Sequence, residues 1–349
     1  MDFYIMSKDR IVGKWENEIF TLTDKTLAPM YLVNTGNVNR WLETRAIDYH
    51  RANSRLLKKA LRLTEKDDIN TVISVYAATV TDNYWIKPFD SMLTYKDIQF
   101  DNDYFARLAS LALHGDYDSF CKVANNKKTH TPELTNTGSF EKCWRLKNGE
   151  WWLIKTADHK QRFSEFFIYK FGKHLGFDMA EYVMGNKCVM TRDFTEKGKY
   201  NFEPAYSFMG ENEDYIDVLN KLREIKPETI PDYIRMIFMD TIIANPDRHT
   251  FNFGLLRDSE TGKIISFAPN FDNNMALISR GYPRNIQRKK DILVACFNDL
   301  MKYDPKLKRY IPSVSENDIK TVLKNVNMKV KTDIVVDFIM NGYNQIQSD

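Results

Sequence analysis

Apolar residues recur at two different spacings along this chain, and the change between them divides it. Toward the amino terminus, Glu18 to Leu22 and Ile73 to Tyr76 read as short strands, while Arg55 to Leu63 carries Leu56, Leu57, Ala60, Leu61 and Leu63 at largely helical spacing. A mixed α+β first domain follows. Periodicity stops over Val123 to Asn136, VANNKKTHTPELTN, where turn-forming residues cluster, so a domain boundary is expected near Asn125. From Thr135 onward, strand-like runs flank Asn148-Gly149, a pair that accepts the positive φ a two-residue hairpin turn requires. SEFFIYKFGKHLG, Ser164 to Gly176, reads as a helix opened by a capping serine and closed by glycine. A strand pair is expected around Met184 to Thr191. Pro231 then opens a helix with Ile234, Ile237, Phe238 and Thr241 on one face. Strands in front and helices behind, sharing one cleft, is the architecture this order implies.

Composition narrows the function classes. Of 349 residues, 50 are Lys or Arg and 47 Asp or Glu, a net +3 that lacks the basic excess of a nucleic-acid binder, and no direct nucleic-acid contact is expected. With 43% hydrophobic residues, 14 Gly and 11 Pro, the chain should fold throughout, and its length suits two domains. Cys121, Cys143, Cys188 and Cys296 show no short paired spacing, which argues against a zinc site or a disulfide framework and for a reducing compartment. The opening MDFYIMSKDR is not signal-like, and no run reaches the roughly 18 apolar residues that span a bilayer. A soluble cytoplasmic protein without membrane partners is expected.

Candidate chemistry begins at the hairpin. If Asn148-Gly149 is its two-residue loop, Lys147 faces Glu150 and Lys155 lies opposite Lys142. Like charges opposed across a ladder are destabilising unless an anion lies between them, and a polyphosphate would serve; two solvated cations on an exposed face are the alternative. Trp151, Leu153 and Lys155 alternate onto one face, an otherwise apolar place for a charge. Just upstream, TNTGSFEK, Thr135 to Lys142, is a loop in which Gly138 would let the backbone N–H groups approach phosphate oxygens, although a simple turn explains one glycine as well. It matches neither the P-loop pattern nor the three-glycine loop of ordinary protein kinases.

NPDRHTFNFGLL, Asn245 to Leu256, followed by APNFDNN, Ala268 to Asn274, carries the strongest signal. Asp247 and Asn252 are five apart, and a hairpin turned by Asp258 to Gly262 would bring Asp272 opposite Arg248, beside Asp247. Phosphoryl transfer from a nucleotide needs one carboxylate to orient or accept the hydroxyl proton, and an amide with a second carboxylate to hold magnesium. Asp247, Asn252 and Asp272 match those roles; a turn capped by Asp and Asn is the structural alternative. Glu165, ten residues after Lys155 on the next helix, is placed to pair with that lysine, or to favour a helix N-terminus. His249 is read as satisfying backbone groups behind the loop in preference to a hydrogen bond near the transferring phosphate, and Arg280, Arg284, Arg288, Lys289 and Lys290 as a solvated basic loop in preference to a dock for an acidic substrate. WLETRAIDYHR, Trp41 to Arg51, and TDNYWIKP, Thr81 to Pro88, are read as packing and surface pairing.

TNTGSFEK, WWLIK, the helix bearing Glu165, NPDRHTFN and NFDN resemble, in that order, the HipA-like serine/threonine protein kinase family over roughly Thr135 to Leu277. The resemblance implies a bilobal protein-kinase-like α+β fold: a mixed domain over 1–125, then a kinase domain over 126–349 with its N-lobe to about 192 and its C-lobe from about 193. It implies that Lys155 contacts ATP phosphates, that Asp247 is the catalytic acid/base, and that Asn252 and Asp272 bind Mg2+. Gly138, Ser139 and Lys142 match the phosphate loop, and Cys188 and Met190 fall where the adenine-contacting connector would run. Where the family carries an autophosphorylated serine whose modification ejects the loop, this chain has Thr135. Family members often act as toxins paired with a DNA-binding antitoxin, so an antitoxin joins a protein substrate among the expected partners. A phosphatidylinositol-type lipid kinase, suggested by the DRHTFN run, and a catalytically silent nucleotide-binding or interaction module are the competing readings.

Overall fold

The computed structural model describes residues 1–48, 50–51, 53–63, 67–101, 106–124 and 130–347. The boundary expected near Asn125, and with it the division between 125 and 126, lies outside the described residues. The chain is mixed α+β and forms two compact units. One comprises Met1–Thr156, Met190–Glu203 and Leu256–Ile265; the other comprises Ala157–Val189, Pro204–Leu255 and Ser266–Asp349.

In the first unit, β1 (Phe3–Ser7), β2 (Arg10–Glu16), β3 (Ile19–Leu22) and β4 (Tyr84–Pro88) make an antiparallel sheet in the order β3-β2-β1-β4. Its helices are α1 (Met30–Thr35), α2 (Val38–Glu43), α3 (Ser54–Ala60), α4 (Asp68–Ile73), α5 (Tyr95–Ile98), α6 (Ala106–His114) and α7 (Tyr117–Ala124). The strand expected over Ile73 to Tyr76 does not exist. Asp67 caps α4 by accepting the Asn70 N–H, the helix runs through Ile73, and the chain closes in a turn with Tyr76 and Ala77 at positive φ. A four-residue segment has too few positions for its period to separate strand from helix.

β5 (Lys142–Lys147) and β6 (Glu150–Thr156) form the hairpin, with Asn148 and Gly149 at φ 52° and 76°. The register follows from that turn: Lys147 faces Glu150 and Lys142 faces Lys155. Trp144, Leu146, Trp151 and Leu153 of the hairpin pack with Met6, Trp85, Ile98 and Phe100, and Trp151 Nε1 donates to the Phe100 carbonyl at 3.0 Å. Each indole removes on the order of 150–250 Å² from water, a stabilisation of several kcal/mol per ring at about 25 cal/mol per Å². Residues on both sides of 125–129 therefore share one core.

β7 (Tyr182–Gly185) and β8 (Cys188–Arg192) are the expected strand pair, and residues 190–192 of β8 run beside β6. At the end of β8 the Asp193 N–H donates to the Trp151 carbonyl at 2.8 Å, and its carboxylate accepts from the N–H and hydroxyl of Thr195. Burial outweighs those hydrogen bonds and pushes Asp193 from 3.8 up to about 6. The folded protein therefore holds this proton more tightly than the unfolded chain. The associated stability is fully present below pH about 4 and is lost as pH rises through about 6, an effect on the order of 3 kcal/mol. Urea unfolding from pH 4 to 7.5 should show this slope in the wild type and a flatter one in Asp193→Asn; an unchanged slope would assign it to other groups.

β9 (Tyr200–Pro204), β10 (Gly254–Asp258) and β11 (Ile264–Phe267) follow in the order β11-β10-β9. The turn at Asp258 to Gly262 is present, with the Gly262 N–H bonded to the Asp258 carbonyl and the Thr261 N–H to its carboxylate. The register is not the expected one. Asp258 faces Lys263, one residue beyond the predicted partner, and Ala268 bonds to Gly254, two beyond. The side-chain-capped turn with Gly262 at φ 69° is one residue longer than assumed, and the ladder slips once more along its length.

The second unit contains α8 (His159–His174), α9 (Tyr206–Met209), α10 (Tyr215–Ile225), α11 (Ile230–Ile243), α12 (Ile292–Tyr303), α13 (Glu316–Val326) and α14 (Thr332–Gln347). α8 starts earlier than its apolar pattern predicts, because Asp158 and Gln161 form a capping box and Ser164 is a buried interior residue. α11 has Pro231 in its first turn and is buried on nearly every side from Met236 to Ile243, packed against α12 and α14. Among the described residues no helix is long and apolar enough to cross a membrane.

Candidate active site

Two groups of predicted residues are assembled, one in each unit. In the first unit, Lys142 and Lys155 are opposed across the β5/β6 ladder and both are buried, on the face that continues from Trp144, Trp151 and Leu153. Gly138 sits above them at φ 92°, with the Lys142 ammonium in the space a side chain there would fill, so only glycine suits the position. Ser139 is exposed beside it. Thr135 ends a 3₁₀ turn, Pro132–Thr135, and is buried, its hydroxyl donating to the Ala78 carbonyl at 2.6 Å. The loop has a further partner that sequence motifs did not reveal. Arg51, 1% exposed, donates to the carbonyls of Asn136 (2.5 Å), Thr137 (3.2 Å) and Gly138 (2.9 Å) through Nη2. Glu133, also buried, holds the other side of the loop by accepting from Asn136 Nδ2 and the Trp144 N–H. Met190 lies beside the hairpin end, its sulfur 3.1 Å from Lys147 Nζ, while Cys188 lies in the second unit with its sulfur against Gly185.

In the second unit the catalytic-loop candidates are set by the end of α11. Ala244 turns left-handed, and the Asn245 N–H and side-chain amide both bond to Asp240. Asn245 Oδ1 accepts the Asp247 N–H at 3.3 Å, and Asn252 Nδ2 donates to the Asp247 carbonyl at 3.1 Å. This fixes the Asn252 amide so that Oδ1, the better cation ligand, is the atom left over. The half-buried Asp247 carboxylate makes no hydrogen bond or ion pair among the described residues. Asp272 is held at φ 57°, a conformation Asp tolerates better than most residues, with its N–H donated to Tyr182 Oη at 2.9 Å.

Arg248 joins these pieces. Its Nε and Nη2 clasp the fully buried Asp240 carboxylate at 2.7 and 2.9 Å, Nη1 donates to the Asn252 and Phe271 carbonyls at 2.7 Å each, and Nη2 reaches Asn270 and Asn273 Oδ1. One guanidinium thus ties the backbone of Asn252 to the residue preceding Asp272, which is how Asp272 comes to Arg248 although the β10/β11 register does not place it there. Burial alone would lower the Arg248 pKa; Asp240, and then Asp272, more than reverse this and hold it above its ordinary value. Glu165, buried on α8, accepts the Asn273 N–H at 3.2 Å. His249 Nδ1 accepts the Phe251 N–H at 3.3 Å, the backbone role read from the sequence. Arg288 leaves the basic run: it is buried and donates to the Thr241 and Ile242 carbonyls at the end of α11, while Arg280, Arg284, Lys289 and Lys290 are exposed.

Asp240 and Arg248 were legible in one respect. An acid in the apolar run MIFMDTII is expensive to bury unpaired, so it announces a buried cation nearby. Among the described residues no three His, Cys, Asp or Glu side chains are placed to hold a metal. One carboxylate and one amide oxygen, from Asp272 and Asn252, nevertheless suit magnesium, which takes one or two carboxylates and completes its shell with phosphate oxygens and water.

The sequence matches the family model described as HipA-like C-terminal domain over residues 122–333, more than half of the chain. The chain belongs to the HipA-like family. Its fold is that of HipA. In the structure titled Shewanella oneidensis MR-1 toxin antitoxin system HipA, HipB and its operator DNA complex, the match covers 99% of this chain and 100% of that one, with a TM-score of 0.56 at 11% identity. The Helicobacter pylori proinflammatory kinase CtkA covers 59% of this chain and 90% of its own, with a TM-score of 0.43 at 19% identity. No curated protein matches the sequence. The HipA structure holds operator DNA, so the expectation of no direct nucleic-acid contact for this HipA-like chain gains no support from it.

Proposed function

We propose that this HipA-like protein is an ATP- and Mg2+-dependent serine/threonine protein kinase that transfers the γ-phosphoryl group to a protein hydroxyl and to itself. The observation that carries the reading is Arg248: besides pairing with Asp240, it ties the Asn252 carbonyl to that of Phe271, the residue before Asp272, while Asn252 bonds the Asp247 main chain, so one buried charge fastens the segments that carry Asp247, Asn252 and Asp272. The Asp247 carboxylate, which makes no hydrogen bond or ion pair among the described residues, accepts the proton of the attacking hydroxyl. Asn252 Oδ1 and Asp272 hold Mg2+, which when bound neutralises charge on the phosphates. Glu165 keeps the Asp272 segment in place through the Asn273 N–H. Lys155, Lys142 and the Gly138-Ser139 backbone are assigned to the triphosphate, with Cys188 and Met190 at the adenine and Thr135 as the autophosphorylation residue. An antitoxin partner of the HipB kind fits the same reading.

Incubation of the purified chain with ATP and Mg2+, followed by intact mass and phosphosite mapping, tests it. Added phosphate that disappears with EDTA is expected, and mapping decides Thr135. Turnover of phosphoinositide vesicles with no protein phosphorylation would replace the reading with a lipid kinase; ATP binding with neither would leave a silent nucleotide-binding module.

A further inference from the structure

We propose that Arg51, the buried last residue of the Trp41 to Arg51 segment that the sequence suggested for packing and surface pairing, is the positioning residue of the phosphate loop: it draws three successive carbonyls to one side so that three N–H groups face a polyphosphate on the other. The carbonyls are those of Asn136, Thr137 and Gly138, bound by the Arg51 fork at 2.5–3.2 Å. In a trans peptide the N–H points opposite to the carbonyl of the preceding residue. The N–H groups of Thr137, Gly138 and Ser139 are therefore turned away from Arg51, on the exposed side of the loop, and none has an acceptor among the described residues. Successive outward N–H groups at a glycine of positive φ make a concavity for anion oxygens, and the Lys142 ammonium beside Gly138 adds charge to it.

Arg51 is suited to this as no other residue is. Only a guanidinium presents donors in a rigid fork that spans neighbouring carbonyls, whereas a lysine would serve one or two and leave the rest to rotate. Burial pushes the Arg51 pKa below its ordinary value, with Glu133 and then Glu141 opposing that cost.

The proposal deepens the kinase reading and rests on it for the identity of the anion. The probe is inorganic tripolyphosphate without metal, followed by the Gly138 amide in protein labelled with ¹⁵N-glycine, which reports only 14 residues. In the wild type the Gly138 signal should move on titration; a signal that stays still overturns the proposal. Arg51→Met, which keeps the apolar stem, should weaken tripolyphosphate and ATP binding by about tenfold or more, the effect of misaligning even one or two hydrogen bonds to a charged group. The KM for ATP should rise more than kcat falls, and the other glycine signals should be preserved. Should Arg51→Met not fold, Arg51→Lys keeps the charge without the fork and should show the same loss. Affinity within twofold of wild type in either folded variant overturns the proposal. A wild type that transfers no phosphate yet shows the Gly138 response sinks the kinase reading alone.

Discussion

Asp247→Asn should lower phosphoryl transfer by roughly 10²–10⁴-fold, the range over which a positioned general base contributes, while the protein stays folded and binds ATP. The exchange is nearly isosteric. Asp247 contributes to its loop through its main chain, donating to Asn245 Oδ1 and accepting from Asn252 Nδ2, and neither bond involves the carboxylate. Stability should therefore change by no more than about 0.5 kcal/mol, the ordinary range for substitutions that break no buried bond. Single-turnover transfer of labelled phosphate, read beside the urea midpoint, separates the two effects. Transfer at the wild-type rate would mean that another residue takes the proton, and the assignment of the loop would fall with it.

The second large effect is expected at Arg248. Arg248→Met removes the six hydrogen bonds of the guanidinium and strands the Asp240 carboxylate in the interior. Leaving a buried charge without its partner costs about 3–5 kcal/mol. Activity should fall by a hundredfold or more as well, because Asn252 and the Asp272 segment lose their common anchor. Pairing the change with Asp240→Leu discriminates between the two losses. An apolar pair of similar volume can restore much of the stability of a buried ion pair, but it cannot hold two carbonyls in place, so the double variant should regain its unfolding midpoint and remain inactive. Recovery of activity together with stability would show that Arg248 acts only as a structural ion pair.

What the sequence made legible was local. Asn148-Gly149 set the hairpin register because a two-residue turn leaves the ladder no freedom, and Lys142 met Lys155 as a result. The next turn, Asp258 to Gly262, was located but its register was not, since a longer turn admits extra residues and the pairing slipped by two at Ala268. The start of α8 was hidden because its first turn is polar; the Asp158 and Gln161 pair was the available signal, but Ser164 ahead of an apolar run mimics a cap six residues later. Within the candidate site, the oxygen donors were visible through their spacing. Their fastenings were less so: Asp240 could be suspected from its apolar surroundings, but Arg51 acts on carbonyls more than eighty residues away, and main-chain acceptors carry no side-chain identity for a motif to record.

The shared packing of Trp144 and Trp151 with Met6 and Trp85 has a practical corollary. The family match begins at residue 122, yet a fragment trimmed to that limit would present two bare indoles to solvent and to one another's copies. Such a truncation is expected to precipitate or recruit chaperones instead of yielding a minimal enzyme. For the same reason, swapping the leading segment between relatives would succeed only when the hydrophobic seam is exchanged along with it, so inheritance of the two parts is mechanically linked.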